Sequence, residues 1–185
     1  MRAFLDRIYA AAMAGACLGM VVIAVLVFIQ ILGRVIDRGL SMMGLGGLGI
    51  AIPSLAEIGG YLLVAVIALA LPGTLRAAGH VRVTFVLRFL GPAGNRLLAS
   101  AVLALGAVIA GYAAYHSGEH ALDAWLRGSV SYGLIPIPTW IPRAVFALGL
   151  SIFTIALIDE CITALRGRDP AFRAEERRRE SEGVG

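Results

Sequence analysis

Two histidines and a glutamate form the cluster in this sequence with the most obvious chemistry. His116, Glu119 and His120 match the H-x-x-E-H pattern of inverted zinc peptidases. On a helix the two histidines lie about one turn apart and could share a metal ion, with Glu119 as the base. A catalytic zinc site needs a third protein ligand, and Asp123 is a weak substitute for a ligand from a separate helix. The pattern therefore favours the polar end of a helix, with a membrane metalloenzyme as an alternative.

Glu57 is a second candidate, a carboxylate near the start of a long apolar run. Carboxylates at membrane depth are rare and are usually paired or functional. Arg34 and Arg38 follow the preceding apolar run and are predicted on the same side of the membrane. We therefore expect Glu57 to form an ion pair with one of them and to orient the two runs. A proton or ion relay is the alternative, although no chain of buried carboxylates continues inward from Glu57.

Four long apolar runs must position these residues. Apolar residues make up 59% of the 185 residues and charged residues 15%, whereas about 25% charged is usual in soluble domains. A spanning helix needs about 20 mostly apolar residues. The sequence therefore predicts an all-α membrane protein, a single domain over residues 1–166, with spans at about 8–32, 52–75, 96–122 and 139–165. A cleaved signal peptide is the alternative for the first run and would leave three spans.

The 16 basic residues, all of them arginine, are divided unequally between the two sides of these spans. Twelve fall in the N-terminus, the loop between spans two and three and the C-terminal tail, and four fall on the other side. Because excess basic residues mark the cytoplasmic face, we expect both termini in the cytoplasm of a bacterial inner membrane. Anionic lipid explains the basic excess. Nucleic acid is not expected as a partner, since no aromatic ladder for base stacking accompanies the arginines.

The loop between spans two and three predicts one further helix. Over residues 80–90, polar residues that include His80 and Arg88 recur every four positions and form a narrow stripe opposite a broad apolar face. Such a helix lies in the membrane interface, with arginines reaching the headgroups. Packing against a protein partner at the same depth is equally compatible with the pattern.

Glycines mark two other segments. Residues 33–51 are glycine-rich and apolar, so this stretch is predicted as a loop at the bilayer surface or against a partner. Gly15 and Gly19, four residues apart in span one, permit close contact with another helix. The tail, residues 167–185, is charged and is predicted to be disordered.

Four different short signatures occur along the chain. They are Gly33-Arg34 after span one, Pro53-Ser54-Leu55-Ala56-Glu57 at the start of span two, Gly79-His80-Val81-Arg82-Val83 after it, and Leu134 through Ile137-Pro138-Thr139-Trp140 before span four. Together they resemble the DctQ-like small membrane subunit of tripartite ATP-independent periplasmic (TRAP) transporters. The run from Gly79 to Val83 is the most specific. The chain departs from the family pattern at Leu55 and Ala56, where a tryptophan and one acid are missing.

The resemblance implies a non-catalytic subunit that binds a larger multi-span subunit tightly and braces it. The larger subunit carries the substrate and sodium sites, so no cofactor, metal or substrate site is expected here. A periplasmic binding protein delivers the substrate, often a dicarboxylate, sialic acid or another organic acid, and the small subunit contributes to its docking surface. The partner-interface candidates are Arg34, Glu57, Gly79, His80, Arg82, Arg88, Pro138 and Trp140. A self-sufficient homo-oligomeric channel or transporter is the main alternative.

Overall fold

The computed structural model describes residues 2–44, 49, 53–77 and 92–166 of the chain. Most of these residues form four helices, which are α1 Arg2–Met42, α2 Leu55–Arg76, α3 Pro92–Leu126 and α4 Trp140–Leu165. All four are long and apolar enough to cross a membrane. The predicted all-α membrane fold with four transmembrane helices is confirmed. The predicted interfacial helix at 80–90 and the tail at 167–185 lie outside the described residues.

Helices α1 and α3 are longer than the apolar runs that predicted them. They contain 41 and 35 residues, which corresponds to about 60 and 50 Å of helix, against about 30 Å of hydrocarbon in a bilayer. α1 continues to Met42, through a segment for which the sequence predicts a loop. The helix can continue through this segment because no proline interrupts it and a glycine inside a helix costs only about 1 kcal/mol.

The helices lie side by side in the order α1, α2, α4, α3. α2 packs against α1 on one side and α4 on the other, α3 packs against α4, and α1 contacts α4 only slightly. The described helices therefore form a layer one helix thick rather than a closed bundle. We call the end of the layer that carries the start of α2 its outer end, and the opposite end its inner end. The start of α1 and the end of α4 both lie at the inner end.

Small residues allow the two central helices to approach closely. A Cβ atom added to Gly149 of α4 would lie 2.6 Å from the backbone carbonyl carbon of Ala68 in α2, and Ala68 is fully buried. In α1 the predicted glycine pair faces α2, because a Cβ atom on Gly19 would lie 2.6 Å from the Val66 side chain and one on Gly15 would lie 3.5 Å from Leu69. Close van der Waals contact of this kind drives helix association in membranes.

Replacing Gly149 with alanine should destabilise the layer, because the new methyl group meets backbone atoms of Ala68 that cannot move aside as a side chain can. Overpacking of this kind costs roughly 1–3 kcal/mol. The measurement is the midpoint of thermal unfolding of the purified chain in detergent micelles. Gly118→Ala is the matched control, because a Cβ atom there meets nothing within 4 Å. Equal midpoints for the two variants would contradict the packing described for α2 and α4.

Candidate functional site

The loop between α3 and α4, residues 127–139, closes on itself at the outer end. Ser131 N donates to Ile137 O at 2.9 Å, and Thr139 N donates to Ser129 O at 3.0 Å. These bonds pair the two arms of the loop without forming a regular strand. The loop therefore holds a defined shape through its own backbone.

The tip of this loop rests on the start of α2. Ile135 N donates to Ser54 Oγ at 3.2 Å. Gly133 lies so close to Glu57 that a Cβ atom added to the glycine would be 2.0 Å from Glu57 Oε2. The loop and α2 are 81 residues apart in sequence at the Ile135–Ser54 bond, so this contact joins distant parts of the chain at the outer end.

The two carboxylate oxygens of Glu57 have different surroundings. Oε1 accepts a hydrogen bond from Tyr61 Oη at 3.1 Å. Oε2 is buried and has no hydrogen-bond partner among the described residues. A buried acceptor without a donor destabilises a structure by roughly 1–3 kcal/mol. The contact with the loop is therefore retained at an energetic cost.

Ser54 shows a second unfavourable feature at the same place. It adopts the left-handed conformation, with φ of 56°, and is the one non-glycine residue with positive φ among those described. Its carbonyl accepts hydrogen bonds from the backbone N–H groups of Glu57 and Ile58, each at 3.0 Å, while its side chain does not cap the helix. The hydroxyl that could cap α2 instead receives the loop.

The loop tip presents two large apolar side chains to solvent. Tyr132 is completely exposed and Leu134 is 86% exposed. They flank Gly133, which contacts Glu57. A pair of large exposed apolar side chains on a shaped loop is compatible with a protein-binding surface and with contact at the membrane–water boundary.

Two of the residues predicted from sequence frame this loop. Pro138 forms an isolated antiparallel bridge with Val130 at the base of the loop. Trp140 is the first residue of α4, and its side chain is 37% exposed. Both therefore lie at the outer end, on the same loop–helix junction.

The ion pair predicted for Glu57 is not formed. Among the described residues, no ion pair joins it to Arg34 or Arg38, and its carboxylate lies under the α3–α4 loop instead. Arg34 and Arg38 are exposed on the outer part of α1. The prediction was wrong because it assumed that opposite charges on the same side of the membrane would pair. Glu57 instead faces the α3–α4 loop from its position at the start of α2.

Four other predicted interface residues, Gly79, His80, Arg82 and Arg88, lie outside the described residues. Their predicted roles therefore stay predictions.

The histidine cluster is not built as a metal centre in the part of the chain that is described. His116 Nδ1 lies 2.9 Å from Glu119 Oε2, and the His116 ring packs edge-on against Tyr112, with centroids 4.3 Å apart. Asp123 is paired with Arg127 at 2.8 Å. No group of three or more histidine, cysteine, aspartate or glutamate side chains that could hold a metal ion occurs among the described residues.

The inner end holds a charged cluster that the sequence analysis missed. Arg76, in the last turn of α2, forms an ion pair with Asp6 of α1 and lies 3.8 Å from the buried Glu160 of α4. Its guanidinium also lies over the ring of Tyr9, 5.3 Å from the centroid. One arginine thus links three helices. The sequence did contain a signal for this cluster. Asp6, Arg76 and Glu160 are charged residues near span ends, and the predicted topology places all three on the same side of the membrane.

Polar contacts therefore concentrate at the two ends of an otherwise apolar layer. The family model of the DctQ component of tripartite ATP-independent periplasmic transporters matches residues 23–167, from the middle of α1 to just beyond the end of α4. The chain belongs to the DctQ family. No significant match was found among curated proteins or among solved structures. As a DctQ component, the chain is a small multi-pass permease subunit of a TRAP transporter.

Two residues at the outer end of this DctQ subunit, Ser54 and Gly133, were not predicted as site residues from the sequence. Ser54 has the serine-x-x-glutamate spacing of a capping box with Glu57, which could have indicated a joint role at the start of α2. Gly133 carried no such signal, because its importance comes from a contact with a residue far away in the sequence.

Replacing Arg76 with methionine should destabilise this DctQ subunit, because Glu160, which is only 4% exposed, loses a nearby positive charge. The expected cost is roughly 1–3 kcal/mol, measured as a lower midpoint of thermal unfolding in detergent. Arg34→Met is the matched control, since Arg34 is exposed. The double variant Arg76→Met/Glu160→Leu should recover part of the loss, because it removes the buried charge as well. A double variant no more stable than Arg76→Met would count against this explanation.

Proposed function

We propose that this DctQ subunit is non-catalytic, braces the large ion-coupled subunit of its transporter and helps to dock a periplasmic binding protein during uptake of an organic acid. The observation that carries the proposal is the family match over residues 23–167. By the resemblance described above, the substrate is a dicarboxylate, sialic acid or a similar acid, and sodium coupling resides on the large subunit.

The open layer of helices supports the bracing role. Large apolar side chains are exposed along all four helices, including Phe28 of α1 at 61%, Ile67 of α2 at 53% and Val108 of α3 at 70%. In a membrane such faces contact lipid or another protein. A layer one helix thick offers broad flat surfaces along which a larger membrane protein can pack.

The middle of the layer offers little for solute binding. The hydroxyls of Ser151 and Thr154 in α4 donate to carbonyls four residues earlier in their own helix, at 2.7 and 2.8 Å. Sites in secondary transporters commonly use broken helices at the membrane midplane, whereas Pro72, the proline inside α2, lies near its inner end. These features support a partner subunit as the carrier of substrate and ions.

The outer end supports the docking role. The α3–α4 loop has a defined backbone shape and exposes Tyr132 and Leu134. With the arginine distribution, which favours cytoplasmic termini in a bacterial inner membrane, this loop faces the periplasm, where a binding protein would approach.

We expect uptake to require all three components. Proteoliposomes that contain this subunit together with the large subunit should accumulate the substrate only when the loaded binding protein and a sodium gradient are supplied. Proteoliposomes with this subunit alone should show none. Robust uptake by this subunit alone would overturn the proposal and favour a homo-oligomeric transporter.

Removing the histidines should leave transport unchanged. His116→Ala and His120→Ala take away the two side chains on which a metalloenzyme would depend, but His116 contacts its own helix neighbours and His120 accepts a bond from Arg143 through its backbone carbonyl at 3.3 Å. Initial uptake rates in proteoliposomes are expected to stay within about twofold of the unmodified complex, which corresponds to less than about 0.5 kcal/mol. Loss of uptake with intact assembly would instead assign a functional role to the cluster.

A further inference from the structure

We propose that Glu57 and Gly133 form a positioning pair for the docking surface. The Glu57 carboxylate supports the tip of the α3–α4 loop through Gly133, and thereby fixes how Tyr132 and Leu134 are presented to the binding protein. This inference rests on the proposed docking function and names the residues that would set its geometry.

Position 133 is a glycine because of what lies next to it rather than because of its backbone conformation. Gly133 is not among the glycines with positive φ in the described residues, which are Gly44, Gly49 and Gly128, so its backbone conformation does not require one. A Cβ atom at this position would lie 2.0 Å from Glu57 Oε2 and 2.6 Å from Ser54 Oγ, whereas real Cβ atoms essentially never come within 3.0 Å of a neighbour. Both neighbouring atoms are ends of side chains, so a larger residue at position 133 would require the Glu57 carboxylate or the Ser54 hydroxyl to move. Each of these groups is held by a hydrogen bond, the carboxylate by Tyr61 Oη at 3.1 Å and the hydroxyl by the Ile135 N–H at 3.2 Å, so a methyl group at position 133 would disturb the contact between the loop and α2.

The contact between the loop and α2 has an energetic cost. Glu57 Oε2 is buried without a hydrogen-bond partner among the described residues, and Ser54, three residues earlier, has the strained φ of 56°. Each feature destabilises the folded state by an amount on the order of 1 kcal/mol. Two such features at one contact indicate that the surrounding structure holds the loop firmly against α2, since features of this kind persist where the structure over-determines them and often mark functional sites.

The contact at Gly133 also determines the position of the exposed side chains at the loop tip. Gly133 lies between Tyr132 and Leu134 in the chain, so any displacement of the glycine from α2 moves both side chains. Ile135, the next residue, is tied to Ser54 Oγ by its backbone N–H. Anchoring residues held in one orientation before binding lose less entropy when a partner docks. The contact thus affects the affinity of the surface by holding the backbone of the loop tip in place.

The test measures docking of the fluorescently labelled cognate binding protein to the assembled two-subunit complex in lipid nanodiscs. Gly133→Ala should raise the dissociation constant on the order of tenfold, because the methyl group disturbs the contact of the loop with Glu57 and Ser54. Adding Glu57→Ala to Gly133→Ala removes the nearer neighbour, at 2.0 Å, while Ser54 Oγ at 2.6 Å still has to shift. The double variant should therefore regain part of the loss, to within about threefold of the unmodified complex. Gly60→Ala, also near the start of α2, is the control, since a Cβ atom there meets nothing within 4 Å.

Two further measurements separate positioning from a general structural role. The yield of the two-subunit complex and its thermal midpoint should be the same for Gly133→Ala and Gly60→Ala. In the subunit purified alone, hydrogen exchange of the amides at 131–137 should be faster in Gly133→Ala and slowed again in the double variant. The second measurement does not involve the binding protein.

The outcomes distinguish the inference from the function on which it rests. Unchanged affinity and unchanged exchange in Gly133→Ala would overturn the inference while leaving the proposed docking function intact. A double variant as impaired as Gly133→Ala would show that the carboxylate is not the support. If the unmodified complex does not bind the binding protein at all, the proposed docking function fails, and the exchange data alone decide whether Glu57 supports the loop.

Discussion

The close approach of α2 and α4 at Ala68 and Gly149 is the contact on which the rest of the structure depends. Hydrocarbon provides no hydrophobic drive to bring two apolar helices together, so association relies on van der Waals contact between surfaces that fit closely. A side chain at Gly149 would overlap backbone atoms of Ala68. Because α1 packs mainly on α2, and α3 on α4, separating the central pair would divide the layer into two helical hairpins.

The two ends of the layer are closed by polar contacts of different kinds. At the inner end, Arg76 joins three helices through charge, with Glu160 almost fully buried beside it. At the outer end, an uncapped helix start and an unpartnered carboxylate oxygen receive a loop from a distant part of the chain. Both ends leave a buried polar atom without a hydrogen-bond partner among the described residues, Tyr9 Oη at the inner end and Glu57 Oε2 at the outer end. The two ends differ in that charge joins three helices at the inner end, whereas a loop covers the helix start at the outer end.

The sequence was sufficient to predict the parts of the fold that follow from local physics. The four spans follow from composition, because a chain in hydrocarbon must satisfy its backbone hydrogen bonds within each segment. The continuation of α1 to Met42 was missed, since the two glycines and three charged residues between residues 33 and 42 weaken a helix without ending it. The partner of Glu57 was also predicted wrongly. The sequence does not distinguish among residues on the same side of a membrane as possible partners, because their contacts depend on how the helices and loops pack. Gly133 could not be recognised at all, since its constraint arises from Glu57 in α2, a residue far away in the sequence, with α3 between the two.

An open layer of helices also has a consequence for how the cell handles this subunit. The helices of a closed bundle bury apolar side chains against one another, but a layer one helix thick leaves most of its apolar surface uncovered. In α1, for example, only 11% of the most apolar 18-residue stretch is buried. If the large subunit covers one side of the layer, copies of the small subunit made in excess of the large one would keep that side uncovered in the bilayer. Such copies would be exposed to unspecific association and to membrane proteases. The abundance of this subunit would then follow the supply of its partner, so that balanced synthesis of the two chains matters as much as the contacts between them.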